Sequence, residues 1–153
     1  MNDNQSIKNK IYQHLMHLME DKIKTAKKAV DIAKESRNSE TKSSAGDKHE
    51  TGRAMSQIEL DNAEHQLNRL VTLKNQLESI EMDHTNEKVE KGSLIKTNTG
   101  IFFISIGIGQ ITIQGTSYFA ISLESPIGMA LKHKILGEKF EFQGKEMEIL
   151  ELI

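Results

Sequence analysis

Residues 44–52 read Ser44-Ala45-Gly46-Asp47-Lys48-His49-Glu50-Thr51-Gly52 and fall between two long stretches of helical grammar. The wider segment from Ser36 to Gly52 is rich in Ser, Thr, Asn and Gly, which is the chemistry of a turn. On its N-terminal side, Met16, Met19, Ile23, Ala26, Val30 and Ala33 recur at spacings of three and four. On its C-terminal side, Leu60, Ala63, Leu67, Leu70, Leu77 and Ile80 do the same, with Lys74 an imperfection in the pattern. Such spacing gives each helix one apolar seam. Two helices joined by a short loop pack antiparallel, and the small Ala26 and Ala33 allow close approach. About 30 residues at 1.5 Å each make an arm of roughly 45 Å. The turn then lies at the far end of a hairpin and presents two carboxylates, Asp47 and Glu50, away from any core. That placement suits chemistry completed inside a second molecule's cavity. A dimerising coiled coil has the same periodicity.

Bulk composition narrows the classes. At 153 residues the chain is one domain or two small ones. Aromatics make up 5% and tryptophan is absent, which argues against aromatic-lined sites for bases, sugars or prolyl rings. A net charge of −2 gives no global basic field to recruit nucleic acid by itself. The lack of cysteine excludes disulfides and thiolate metal sites. Met1-Asn2-Asp3-Asn4-Gln5 has none of the features of a secretory signal. No stretch approaches the ~20 apolar residues of a membrane span. A cytoplasmic protein with no membrane partner is expected.

The grammar changes near residue 85. Only two of the ten glycines, Gly46 and Gly52, and none of the five phenylalanines precede it. Beyond Lys91, Ser93–Thr97, Ile101–Ile106, Gln110–Ile113 and Tyr118–Leu123 read as short strands. Lys139–Phe142 and Glu146–Ile153 read as a hairpin turning at Gln143-Gly144, with Met147, Ile149 and Leu152 on its inner face. Between these lies one helix: Ser125 is a good N-cap, Pro126 fits the first helical position, and Gly137 is available to end the segment. Lys132, His133 and Lys134 fall where a helix C-terminus favours positive charge. The expectation is an α+β chain with an antiparallel coiled-coil hairpin over residues 1–85, its tip at about 38–52. A small twisted-sheet domain with one short helix follows over residues 90–153.

Two separated segments resemble one family, the bacterial transcript cleavage factors GreA and GreB. Ile121-Ser122-Leu123-Glu124-Ser125-Pro126-Ile127-Gly128-Met129-Ala130-Leu131 is similar to that family's Ser-Pro-Ile/Leu-x-x-Ala/Gly-Leu signature, and Gly46-Asp47-Lys48-His49-Glu50 to its Gly-Asp-x-x-Glu turn. The order of parts, hairpin first and FKBP-like domain second, is also the family's. The resemblance implies a transcription elongation factor whose FKBP-like domain docks on RNA polymerase at the rim of the secondary channel. Ser125, Pro126, Ile127 and Leu131 are expected to form or support that docking surface. The hairpin is expected to enter the channel, where Asp47 and Glu50 help hold a second magnesium and its attacking water, so that backtracked RNA is hydrolysed. Neither acid makes an enzyme alone; the polymerase supplies the remaining ligands and the magnesium, and no tightly bound cofactor is expected. Lys48 and Arg53 are the candidates for contact with the nascent RNA 3′ end, and DNA of the elongation complex is a further possible neighbour.

The chain also departs from the pattern. After Glu50 stands Thr51-Gly52-Arg53-Ala54 where the family more often has Asn-Ala-Glu-Tyr, and Arg37, Lys42, Lys48 and Arg53 against Glu40, Asp47 and Glu50 leave the tip at +1. The alternative is therefore a regulator of the same fold that occupies the channel without donating metal. Taken alone, Asp47 and Glu50 are equally ordinary turn and helix-start residues. The six histidines show no metal-ligand spacing, and the seven methionines read as core filler. Gly107 and Gly109 mark a turn or bulge rather than a phosphate loop.

Overall fold

A computed structural model describes residues 3–41 and 47–153, with the side chains of residues 40, 41 and 47–49 outside the description. By contact the chain forms two compact units, residues 16–75 and residues 1–15 together with 76–153. Helix α1 runs Asp3–Thr41 and helix α2 runs Asp47–Glu78.

In the unit of residues 16–75, the two helices pack along the expected seam. Ile23 and Ala26 bury against Leu70 and Leu67. Val30 and Ala33 bury against Leu60, Ala63 and Leu67. Ascending residues of α1 meet descending residues of α2, which fixes the pairing as antiparallel. On α2 the inward positions Ser56, Leu60, Ala63, Leu67, Leu70, Lys74 and Leu77 alternate spacings of four and three without a break, so the lysine occupies a regular seam position. On α1 the pattern begins differently. Ile11, Leu15, Met19 and Ile23 are buried at successive spacings of four, and Met16, expected inward, is half-buried beside the fully buried Leu15. A spacing of four overshoots one helical turn, so the seam drifts around α1 before settling into heptads.

The second unit is built on a six-stranded mixed sheet in the order β3-β4-β2-β1-β6-β5. Its strands are β1 (Leu94–Thr97), β2 (Ile101–Ile104), β3 (Gly109–Ile113), β4 (Thr116–Ile121), β5 (Lys139–Phe142) and β6 (Lys145–Leu152). Only β2 and β4 pair in parallel, and their connection passes through β3. Gln114-Gly115 and Gln143-Gly144 close the β3–β4 and β5–β6 hairpins, and all four residues take positive φ. That is the turn whose twist matches the strands it joins. The core gathers Val89, Ile95, Phe102, Ile104, Ile121, Leu131, Met147 and Ile149. Strict alternation from Met147 and Ile149 would next turn Glu151 inward. The pairing instead skips Leu150, since Lys96 faces Glu151 and Thr97 faces Ile149. This bulge keeps Glu151 outward and turns Leu152 onto the core.

Helix α3 (Pro126–Leu131) forms as its sequence demands. The Ser125 hydroxyl accepts from the Gly128 N–H at 3.1 Å and donates to the Ser122 carbonyl at 2.7 Å, with Pro126 in the first turn. A β-carbon at Gly128 would run into that same carbonyl. The helix stops at Leu131 rather than near Gly137, and His133 takes the left-handed conformation after it. Lys132, His133 and Lys134 therefore lie past its last turn.

One buried residue escapes any reading of apolar pattern. Lys8 is completely buried in the sheet-bearing unit, and its Nζ donates to the main-chain oxygens of His84 (3.3 Å) and Ile153 (3.5 Å). Gln5 makes a parallel bond to the Met82 carbonyl at 2.7 Å. Desolvation of the Lys8 ammonium lowers its pKa from the ordinary 10.5. The folded state then releases its proton earlier than the unfolded chain does. Stability lost below the lowered value is regained as pH climbs towards 10.5. Removing the ammonium relieves its desolvation but leaves the His84 and Ile153 oxygens without that donor. Lys8→Met should therefore lower stability at neutral pH by about 1–3 kcal/mol. In urea titrations the parent should gain on the variant as pH rises towards 10.5.

Candidate functional site

The helices reach further into the segment read as a turn, residues 44–52, than its composition suggests. Helix α1 continues to Thr41 and α2 begins at Asp47, so Asp47 to Gly52 is helix rather than loop. The sequence signal misleads because Ser, Thr, Asp and Asn favour helix ends as strongly as turns. Gly46 and the rest of residues 42–46 lie outside the described residues. Asp47 and Glu50 thus occupy the first turn of α2, three residues apart and on neighbouring faces. The free N–H groups of that turn favour negative charge there. Glu50 is exposed, and Arg53, three residues further along α2, is exposed as well. The side chains of Asp47 and Lys48 lie outside the description, so the shared metal site expected of Asp47 and Glu50 is not described as a pair.

Donor chemistry tests how far this helix start fits magnesium. The ion takes an octahedral set of oxygens and is commonly held by one or two carboxylates with water. Two carboxylates on one helical turn fit that partial role. Among the described residues no three His, Asp or Glu side chains gather as a metal cage. Further ligands would have to come from another molecule.

The expected docking residues separate by role. Ser125 is occupied as a cap, Pro126 is exposed, Ile127 is half-buried against the sheet core, and Leu131 is completely buried. Leu131 supports α3 from beneath and has no surface to offer a partner. The exposed apolar side chains nearby are ones the motif did not single out: Met129 at 66%, Ile135 at 55% and Leu136 at 60%. Composition also argued against an aromatic-lined pocket, yet three of the five phenylalanines converge. Phe102, Phe119 and Phe142 join Ile127 and Met147 in an open groove of about 330 Å³ rimmed by Thr99, Gln143 and Lys145. The Phe102 and Phe119 rings stack 5.5 Å apart because these residues are register partners on parallel strands. That neighbouring of β2 and β4 is a property of topology, which no local pattern reveals.

No family model and no curated protein match the chain. Among solved structures, one described as "Structure of the transcription factor Gfh1" is similar over 92% of both chains, at 17% identity and a TM-score of 0.34. A likeness of that degree leaves fold and function to rest on the chain's own residues.

If Glu50 serves a partner rather than the fold, its loss should barely touch stability. Glu50→Gln should cost no more than about 1 kcal/mol, the range of a carboxylate at a helix N-terminus. Thermal unfolding followed at 222 nm measures it.

Proposed function

We propose that this chain is a transcription elongation factor of the Gre type, which binds RNA polymerase and places the turn of its helical hairpin in the secondary channel. There it would stimulate cleavage of backtracked RNA. The observation that carries the reading is the pairing of two features in one chain. One is an antiparallel hairpin whose second helix opens on Asp47-Lys48-His49-Glu50; the other is a sheet unit whose single short helix is capped by Ser125-Pro126. These are the two segments on which the family resemblance rests.

The division of labour follows from the chemistry. A magnesium shared with the polymerase would supply a polarised water for in-line attack on the RNA phosphodiester. Glu50 and Asp47 would contribute acceptor oxygens that orient this water or its ion. Both residues belong to the first turn of α2, so the helix backbone sets where their side chains begin. Lys48 and Arg53 would offset phosphate charge at the RNA 3′ end. Catalytic power belongs to the polymerase, and this chain completes a site rather than containing one. Docking would fall to the sheet unit, where the phenylalanine groove and, on α3, the exposed Met129 supply apolar surface of the kind an interface core requires.

Arg53 and Gly52 favour a second reading, in which the hairpin occupies the channel and excludes other factors without donating metal. A net tip charge of +1 weakens attraction for a divalent cation. A stalled elongation complex from the same organism separates the two. Under the first reading, Asp47→Ala with Glu50→Ala should abolish stimulated cleavage while binding persists. Under the second, neither parent nor variant cleaves and both bind. Absence of polymerase binding by the parent would refute both. Met129→Asp should weaken binding by tenfold or more, as for a centrally buried apolar anchor, with the fold unchanged by circular dichroism. Unaltered affinity would move the docking surface elsewhere.

A further inference from the structure

The apolar seam of the hairpin stops well before its helices do. On α1 the last buried apolar residue is Ala33, and on α2 the first is Leu60. Yet α1 continues to Thr41 and α2 begins at Asp47, two turns or more beyond in each case. The next seam positions by heptad count are Arg37 on α1 and Ser56 and then Arg53 on α2. Arg37 is half-buried, Ser56 is buried with 7% exposure, and Arg53 is exposed. At this level Arg37 Nη1 meets Gln57 Oε1 at 3.5 Å, the outer limit for a hydrogen bond, on the exposed surface, and Asn38 and Thr51 also have interaction partners. Gly52 adds a helix-weakening residue inside the first turns of α2.

From this pattern we infer that the outer turns of the hairpin form a separate conformational unit, which splays open while the seam from Ile23 to Ala33 and Leu60 to Leu70 stays zipped. Isolated helical segments this short are marginal in water, and helices in proteins draw most of their stability from burying an apolar face. A polar seam layer specifies alignment at a cost in stability, and here the polar layers are the terminal ones. The outer turns therefore hold together through polar contacts and local helix propensity, with no buried apolar layer among the described residues. The device determines how Glu50 is presented: zipped, it sits at a fixed helix start; splayed, it does not. The inference concerns the isolated chain and stands apart from the polymerase reading.

Hydrogen exchange on the full-length protein, read by residue-resolved NMR, tests it. Ordinary fraying would confine fast exchange to the last turn of α1 and the first of α2. The decisive amides are thus those of Glu35 to Arg37 and of Arg53 to Gln57. They should exchange at least about tenfold faster than amides of residues 26–33 and 63–70, through an opening insensitive to low urea. Restoring the seam with Arg37→Ile and Ser56→Leu should slow the same amides by about tenfold or more and leave the sheet-bearing unit unaffected. Equal protection of outer and inner turns in the parent overturns the inference. So does a folded double variant whose outer amides exchange no more slowly. Should the double variant fail to fold, the parent comparison decides alone. Failure here would leave polymerase binding untouched, and failure of polymerase binding would leave the exchange pattern untouched.

Discussion

Burial of Ile23, Ala26, Val30 and Ala33 against Leu60, Ala63, Leu67 and Leu70 is the interaction on which the rest depends. It joins residues separated by tens of positions and forces α1 and α2 to run in opposite directions. That in turn brings the end of one helix and the start of the next to the same end of the hairpin. Ala26 and Ala33 are small and share their clusters with leucines of α2, which lets the axes approach at those levels. Everything proposed for Asp47 and Glu50 presumes this pairing, because a carboxylate is useful to another molecule only where the backbone delivers it.

Much of this architecture could be read from residue order alone, for a physical reason. Heptad spacing, the Ser125-Pro126 cap and the Gln143-Gly144 turn each act over a few residues, so the sequence carries them locally. What failed was either chemically ambiguous or non-local. Ser, Thr and Asn around residues 36–52 suit helix ends and turns alike, so the hairpin helices extend further than their composition suggested. Leu15 replaced Met16 in the seam because α1 begins on spacings of four. The ending of α3 at Leu131, with His133 left-handed beyond it, could not be seen, since a left-handed residue need not be glycine. Lys8 lies at the bottom of a buried surface that only the folded chain creates. The groove of Phe102, Phe119 and Phe142 arises from the parallel neighbouring of β2 and β4, which are separated in sequence by β3.

The candidate site was legible in part. Glu50 is exposed in the first turn of α2, and of the four expected docking residues Pro126 is the exposed one. Leu131 belongs to the motif for a structural reason: it anchors α3 to the sheet. A signature read from sequence mixes residues that face a partner with residues that hold those in place, and only burial separates them. The same distinction explains Ser125, whose hydroxyl is committed at both ends to the helix cap. The side chains that α3 leaves exposed are those of Pro126 and Met129.

The most direct test of the central claim is photo-crosslinking from a photoreactive amino acid placed at Arg53, on the first turns of α2, in a stalled elongation complex. Delivery of the hairpin end to the catalytic centre predicts label on the RNA 3′ end and on polymerase segments lining that centre. Label confined to the enzyme's outer surface, or absent from a complex that demonstrably contains this chain, would contradict it.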